Sequence, residues 1–153
     1  MDAEELLRRY AAGERDFTGV NLAEVRLVDK ILRGVIFRQA DFSDAYFERA
    51  GFDEVDFSFA NLRRIRLFES GFARANLEGA DLSGAIFAQS NLKGANLSRA
   101  ILRNAILSEV NLRNADLSHA DLSGVREFSI YYCKGAIFHE TIMPDGTIRF
   151  GTV

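Results

Sequence analysis

Large apolar side chains recur at every fifth residue along most of this chain. Starting at Phe17 and stepping by five to Leu122, all 22 positions hold Leu or Phe. A helix repeats about every 3.6 residues and a strand every second residue, so neither can bury side chains with this spacing. The chain must therefore turn after each five-residue unit and coil around a core.

Small residues occupy a second restricted position, two residues before each Leu or Phe. Of the 21 sites from Val20 to Ala120, 12 are Ala, five are Val and two are Ser. Each unit therefore points one large and one small side chain inward. Lys30 stands at one of these inward positions and does not suit it, which predicts a local distortion near the first coil.

Asp or Asn precedes the Leu or Phe in 12 of the 22 units, as in the run Ala80-Asp81-Leu82-Ser83-Gly84. Their side chains bond readily to backbone two residues further on and tolerate left-handed conformations, both of which favour tight turns. Glycine ends several units and serves the same need. These glycines include Gly79, Gly84, Gly94 and Gly124.

The resulting unit, A-[DN]-[LF]-X-X, resembles the repeat of the pentapeptide-repeat family from Arg15 to Gly124. That resemblance implies an all-β solenoid, a right-handed quadrilateral β-helix in which four units make one coil. Twenty-two units would then make about five and a half coils stacked like neighbouring strands. The whole chain, 1–153, is expected to form a single domain with the repeat stack at 15–124.

A short helix is predicted to cap the first coil within 1–14. Asp2, followed three residues later by Glu5, has the form of a capping box. Leu6, Leu7 and Tyr10 share one helical face, and Gly13 can end the helix. Such a cap is expected because an open end would expose unpaired strand edges.

The repeat loses its register at the start of the C-terminal segment 125–153. Glu127 stands where Leu or Phe was due, and the spacing resumes one residue later. Phe128, Cys133 and Phe138 follow in the shifted phase. The last coil is therefore predicted to be irregular, with Cys133 as a reduced thiol in the core rather than a reactive one.

A hairpin is predicted after this irregular coil. Pro144-Asp145-Gly146 is a turn signal between two β-prone runs, 141–143 and 147–150. The hairpin would cap the last coil. The alternative is that it also forms a dimer contact, as terminal segments do in some family members, so the chain is expected to be a monomer or a dimer through this cap.

The sequence offers little for catalysis, and an enzyme is the least favoured class. No catalytic, cofactor-binding or metal-binding residues are predicted, because a solid stack of coils has no obvious cavity for converging groups. His119 falls in an outward turn phase and His139 in the tail, and both are interpreted as solvated residues. No small-molecule substrate or cofactor is expected.

Composition favours a globular protein in the cytoplasm. The chain is 48% apolar and 27% charged, and no stretch approaches the about 18 unbroken apolar residues of a membrane span. The first ten residues are acidic where a secretory signal would be basic and then apolar. No membrane association is expected.

One outward face differs from the others when every fourth unit is grouped together. The units from Leu27 to Leu107 have no Asp or Asn before their central residue. Apolar and aromatic groups near arginine are typical of a protein interface, although β-branched and aromatic residues also simply stack along a sheet. The candidate protein-binding residues are Arg26, Val28, Tyr46, Arg66, Phe68, Ile86 and Ile106.

Two functions from different classes follow from this reading. The first is a non-enzymatic scaffold that binds another protein through the distinctive face. The second comes from the resemblance, since some family members imitate DNA and bind or inhibit a type II topoisomerase. A duplex carries about one charge per 1.7 Å, whereas 22 acidic residues here meet 19 basic ones, with net charge −3. Eight arginines fall in outward phases, namely Arg33, Arg38, Arg49, Arg63, Arg64, Arg74, Arg103 and Arg113. Direct nucleic-acid binding is not expected either, because acids are interleaved with these arginines.

Overall fold

The computed structural model describes residues 1–153, which form a β-solenoid with a helix at one end and an antiparallel hairpin at the other. Residues 20 apart pair in parallel along the stack, as in the series Asp41, Asn61 and Asp81. Four five-residue units therefore make one coil. This repeat confirms the four-sided arrangement that the family resemblance implied.

One side of the solenoid is a five-stranded parallel sheet, hereafter the sheet face. Its strands stack in chain order, and each pairs only with its neighbours. Leu27 lies beside Phe47, and Phe47 beside Leu67, in the core-facing row. The strands are β1 Arg26–Val28, β2 Tyr46–Glu48, β3 Arg66–Phe68, β4 Ile86–Ala88 and β5 Ile106–Ser108.

The residue before each central Leu or Phe determines whether a side becomes strand or turn. All 12 Asp and Asn side chains at this position accept a hydrogen bond from the backbone N–H two residues later, as Asp81 does from Ser83 at 3.0 Å. The turn then closes with a backbone bond such as Ala85 N–H to Leu82 C=O. The predicted role of these residues is confirmed. On the sheet face no such acceptor is present, and the chain stays extended.

The core is a continuous column of the repeated Leu and Phe residues. All 22 are buried, none with more than 3% of its surface exposed. Phenylalanines from successive coils stack in the N-terminal half, as Phe37 does on Phe57 with ring centres 5.4 Å apart. Each such burial contributes about 1.5 to 3 kcal/mol before entropy is subtracted.

The predicted N-terminal cap is helix α1, Ala3–Ala11. Asp2 accepts a hydrogen bond from the Glu5 N–H at 2.9 Å, and Leu6 is completely buried against the first coil. Residue 13 is a glycine with φ of 99°, as expected for a helix end. This is the only helix of appreciable length, and no helix could cross a membrane.

The unit that contains Lys30 is irregular, as predicted, although its side chain is exposed rather than inward. The turn after Leu32 lacks the closing backbone bond that the turn after Phe52 has. Instead the Arg33 N–H donates to the Tyr10 hydroxyl at 3.1 Å. The capping helix therefore supplies the contact that this turn cannot make internally.

The C-terminal segment shows the predicted one-residue shift of register. Asp116 pairs with Ile137 and Asp121 with Ile142, 21 residues apart instead of 20. A 3-10 helix, Ile130–Cys133, takes up the extra residue, and Cys133 is completely buried.

The predicted hairpin follows and is antiparallel. Its strands are β6, Ile137–Ile142, and β7, Ile148–Thr152. The turn lies at 143–147, where Pro144-Asp145-Gly146 was expected to place it.

Candidate functional site

The seven candidate residues all lie on the outward side of the sheet face. They alternate with the buried Leu and Phe along each strand, because successive side chains of a strand point to opposite sides. By strand they are Arg26 and Val28 in β1, Tyr46 in β2, Arg66 and Phe68 in β3, Ile86 in β4, and Ile106 in β5.

Tyr46 is the centre of the most connected part of this surface. The guanidinium carbon of Arg26 lies 4.0 Å from its ring centre, and that of Arg66 lies 5.6 Å away on the neighbouring strand. Its ring is also 5.5 Å from the ring of Phe68. Cation–π contacts of this kind hold the arginines in fixed positions.

The hydroxyl of Tyr46 is satisfied within the same surface. It donates to Glu48 Oε2 at 2.8 Å. Hydrogen bonds from Tyr46, and then from Arg49, lower the pKa of Glu48, so this carboxylate stays ionised at neutral pH. The polar groups around Tyr46 therefore form a local network beside the apolar row.

The apolar residues of this surface are more covered than the sequence suggested. Val28, Phe68, Ile86 and Ile106 are all half-buried rather than exposed, because each lies against its counterpart on the next strand. Fully exposed large apolar side chains are found elsewhere. They are Ile31, Phe59, Ile130, Tyr131, Ile137, Ile148, Phe150 and Val153.

Two buried serines hold the corner that follows the sheet face. The Ala50 N–H donates to Ser70 Oγ at 3.2 Å, and the Ser70 N–H donates to Ser90 Oγ at 3.3 Å. Both hydroxyls lie in the row that is otherwise filled by Ala and Val. They accept N–H groups that other corners satisfy through the closing bond of the turn.

Most of the outward arginines are paired with carboxylates on neighbouring coils. Six of the eight predicted outward arginines form such pairs, the exceptions being Arg33 and Arg113. Arg64, for example, reaches both carboxylate oxygens of Asp44 at 2.7 Å and lowers its pKa. Acidic and basic groups therefore alternate along the stack and leave no run of one sign on these faces.

The two histidines are not isolated, contrary to the sequence interpretation. Their rings lie 5.2 Å apart, and His119 Nδ1 is 3.2 Å from Glu140 Oε2. The separation of His119 and His139 by 20 residues, one coil, is the signal that could have predicted this meeting. Both side chains are exposed.

The sequence profile described as pentapeptide repeats, in eight copies, matches five overlapping segments between residues 16 and 126. No curated protein matches the chain significantly.

Several solved structures are similar to this one. A pentapeptide repeat protein from the Arabidopsis thaliana thylakoid lumen is 28% identical over 69% of this chain and 67% of that one, with a TM-score of 0.34. HetL from Nostoc sp. strain PCC 7120, a pentapeptide repeat protein involved in heterocyst differentiation regulation, is 26% identical over 97% and 100%, with a TM-score of 0.27. QnrB1, a plasmid-mediated fluoroquinolone resistance protein, is 18% identical over 84% and 70%, with a TM-score of 0.49.

The profile match covers well over half of the chain, and the 20-residue pairing of the coils is the architecture that its repeat implies. This chain belongs to the pentapeptide-repeat family, and it is a pentapeptide-repeat scaffold.

Proposed function

We propose that this protein is a non-enzymatic scaffold that binds another protein through its sheet face. The observation that supports this most directly is the cluster around Tyr46, where two arginines and Phe68 contact one ring. Tyr, Arg and other aromatic residues dominate the energetics of protein interfaces. This is the one side of the solenoid on which Asp and Asn do not occupy the row before the core residues.

Rigidity of the surface supports the same function. Each residue of the cluster is on a strand whose backbone is bonded to both neighbours, except at the first and last strand. A side chain that is already held in place loses less freedom when a partner binds, which favours affinity. A partner would meet a flat row of half-buried apolar groups with Arg26 and Arg66 beside it.

The test is partner capture with the native protein and a Tyr46→Ser, Phe68→Ser, Ile86→Ser variant. A matched control removes apolar surface elsewhere, through Ile31→Ser and Phe59→Ser, whose side chains are 60% and 58% exposed. Circular dichroism and thermal unfolding first establish that all three proteins are folded. We expect the control to retain a partner that the sheet-face variant loses. Equal retention by all three proteins would contradict the proposal.

The alternative function, a DNA mimic that binds or inhibits a type II topoisomerase, has less support. Pairing of six outward arginines with carboxylates neutralises charge along the stack, whereas mimicry of a duplex needs a continuous negative surface. Direct binding to a purified type II topoisomerase, measured at several salt concentrations, tests it. Binding that weakens steeply with salt and is unaffected by the sheet-face variant would favour the mimic.

Self-association through the C-terminal hairpin is a further part of the proposal. Ile148 and Phe150, on β7, have 54% and 60% of their surface exposed. Exposed apolar groups at the free end of a solenoid favour pairing of two ends. Sedimentation of the native chain should give a concentration-dependent dimer, and an Ile148→Ser, Phe150→Ser variant should remain a monomer. A native chain that stays monomeric at high concentration would exclude the dimer.

A further inference from the structure

A group of three potential metal ligands lies where the last regular coil meets the hairpin. The ligand atoms of His119, His139 and Glu140 are all within 4.8 Å of one another. The shortest separation, between His119 Nδ1 and Glu140 Oε2, is 3.2 Å. Ligands about 2.0 to 2.1 Å from a tetrahedral zinc ion are separated by about 3.3 Å, so one pair already has a suitable spacing.

The backbone brings these residues together. His119 occupies the left-handed turn position of its unit, with φ of 59°, and its N–H donates to the His139 C=O at 2.7 Å. The hairpin then bulges between Phe138 and Thr141, and Glu140 within the bulge has φ of 49°. Bulges re-aim side chains, and this one places Glu140 beside a histidine of the preceding coil.

A buried threonine fixes the bulge. Thr141 is completely buried, and its hydroxyl donates to the Leu117 C=O at 2.7 Å. The same oxygen accepts the His139 N–H at 3.2 Å. The edge of the His139 ring also faces Phe150 of β7, with ring centres 5.6 Å apart. The backbones of all three residues are therefore held by contacts that do not involve the ligand atoms.

We propose that His119, His139 and Glu140 bind a divalent zinc ion. Two imidazole nitrogens and one carboxylate oxygen are a ligand set that zinc accepts in proteins, and a water molecule would complete four-fold coordination. The remaining separations must shorten, and exposed side chains on a fixed backbone can do this by rotation about their own bonds. The ion would join the turn at His119 to strand β6 and so attach the hairpin more firmly to the last coil.

Titration calorimetry of the untagged chain with zinc chloride at neutral pH tests this proposal. We expect one ion per chain, and a loss of affinity of at least about tenfold in His119→Asn and in Glu140→Gln. Asn suits position 119 because Asn104 and Asn114 hold the same turn phase with φ of 59° and 57°. The matched control is Glu109→Gln, an exposed acid at a left-handed turn on another side.

Thermal unfolding with and without zinc gives a second readout. An ion that binds only the folded chain raises its unfolding temperature, so we expect a rise in the native protein and in Glu109→Gln but not in the two ligand variants. Circular dichroism without metal shows whether each variant is folded. Absence of zinc binding by the native chain, or equal affinity in Glu140→Gln, would overturn the assignment and leave the cluster as a surface contact between a histidine and an acid.

Discussion

The ring of Phe59 lies over Gly79, one coil further along, and occupies the space that a side chain at residue 79 would fill. A Cβ built on Gly79 would be 2.5 Å from a carbon of that ring. By contrast, a Cβ on Gly84 would meet only Arg64 at 3.4 Å, an ordinary contact. Both glycines have positive φ, 64° and 68°, so they share the same backbone strain on substitution and differ in the clash.

Gly79→Ala should therefore destabilise the protein more than Gly84→Ala does. Left-handed strain alone costs about 1 to 2 kcal/mol, and displacement of the Phe59 ring adds to it at residue 79. Chemical denaturation of both variants, alone and combined with Phe59→Ala, measures the difference. In the Phe59→Ala background the two substitutions should cost the same. A difference that persists there would mean that the ring is not responsible.

Leu97→Ala should lower the free energy of unfolding by about 2 to 5 kcal/mol, because it leaves a cavity in the core column. Leu97 is completely buried in the middle of the stack. Lys93→Ala, at an exposed turn position nearby, should change stability by less than about 0.5 kcal/mol. Urea denaturation followed by circular dichroism distinguishes the two. A loss below about 1 kcal/mol for Leu97→Ala would be inconsistent with a tightly packed column.

Ser70→Ala should cost about 1 to 3 kcal/mol, although Ala is the commonest residue in its row. The substitution removes the acceptor of the Ala50 N–H, and a buried donor without a partner is destabilising. Ser118→Ala is the matched control because the polar contact of Ser118 is its backbone N–H to Asp116. Comparison of urea midpoints tests this. Equal midpoints for the two variants would show that the corner rearranges at little cost.

Acid should remove the contribution of the Arg64–Asp44 pair to stability. The hydrogen bond from Arg64 lowers the pKa of Asp44 below its ordinary value of 3.8. A carboxylate with a lowered pKa in the folded state stabilises above its unfolded pKa, and this is lost as pH falls through the folded one.

Asp44→Asn should therefore unfold at a lower temperature than the native protein at neutral pH, and the gap should narrow below about pH 3.8. Melting curves across that range, with the exposed Glu69→Gln as control, provide the measurement. A gap that stays constant with pH would rule out a charge-dependent contribution of Asp44.

Cys133 should be unreactive in the folded chain. Burial raises the pKa of its thiol to about 11, and the side chain has no exposed surface. A thiol reagent at mildly alkaline pH should therefore label Cys133 slowly in the native protein and rapidly in denaturant. Fast labelling under native conditions, with the circular dichroism spectrum unchanged, would mean that the last coil opens locally.

The regular part of this fold was predictable because its signals are local and repeated. The five-residue period identified every residue of the core column, and Asp or Asn before the core residue identified turns such as the one at Asp81. The contact between Tyr10 and the Arg33 N–H was not predictable. It depends on how the cap lies on the first coil, which no period encodes.

The candidate site was predictable in position but not in exposure. Placement of Tyr46 and Phe68 on one face follows from phase alone, whereas their half-burial depends on how neighbouring rings and guanidinium groups pack. The meeting of His139 with His119 also depends on a bulge fixed by Thr141. Sequence gives no direct sign of a bulge after the repeat has lost its register.

Parallel pairing at a spacing of 20 residues constrains how the length of such a chain can vary during evolution. Gain or loss of 20 residues adds or removes a whole layer, and everything downstream keeps its compass direction. Gain or loss of five residues would rotate all later layers by a quarter turn and divide the surface around Tyr46 between two sides. Homologues that use this surface should therefore differ in length by whole layers.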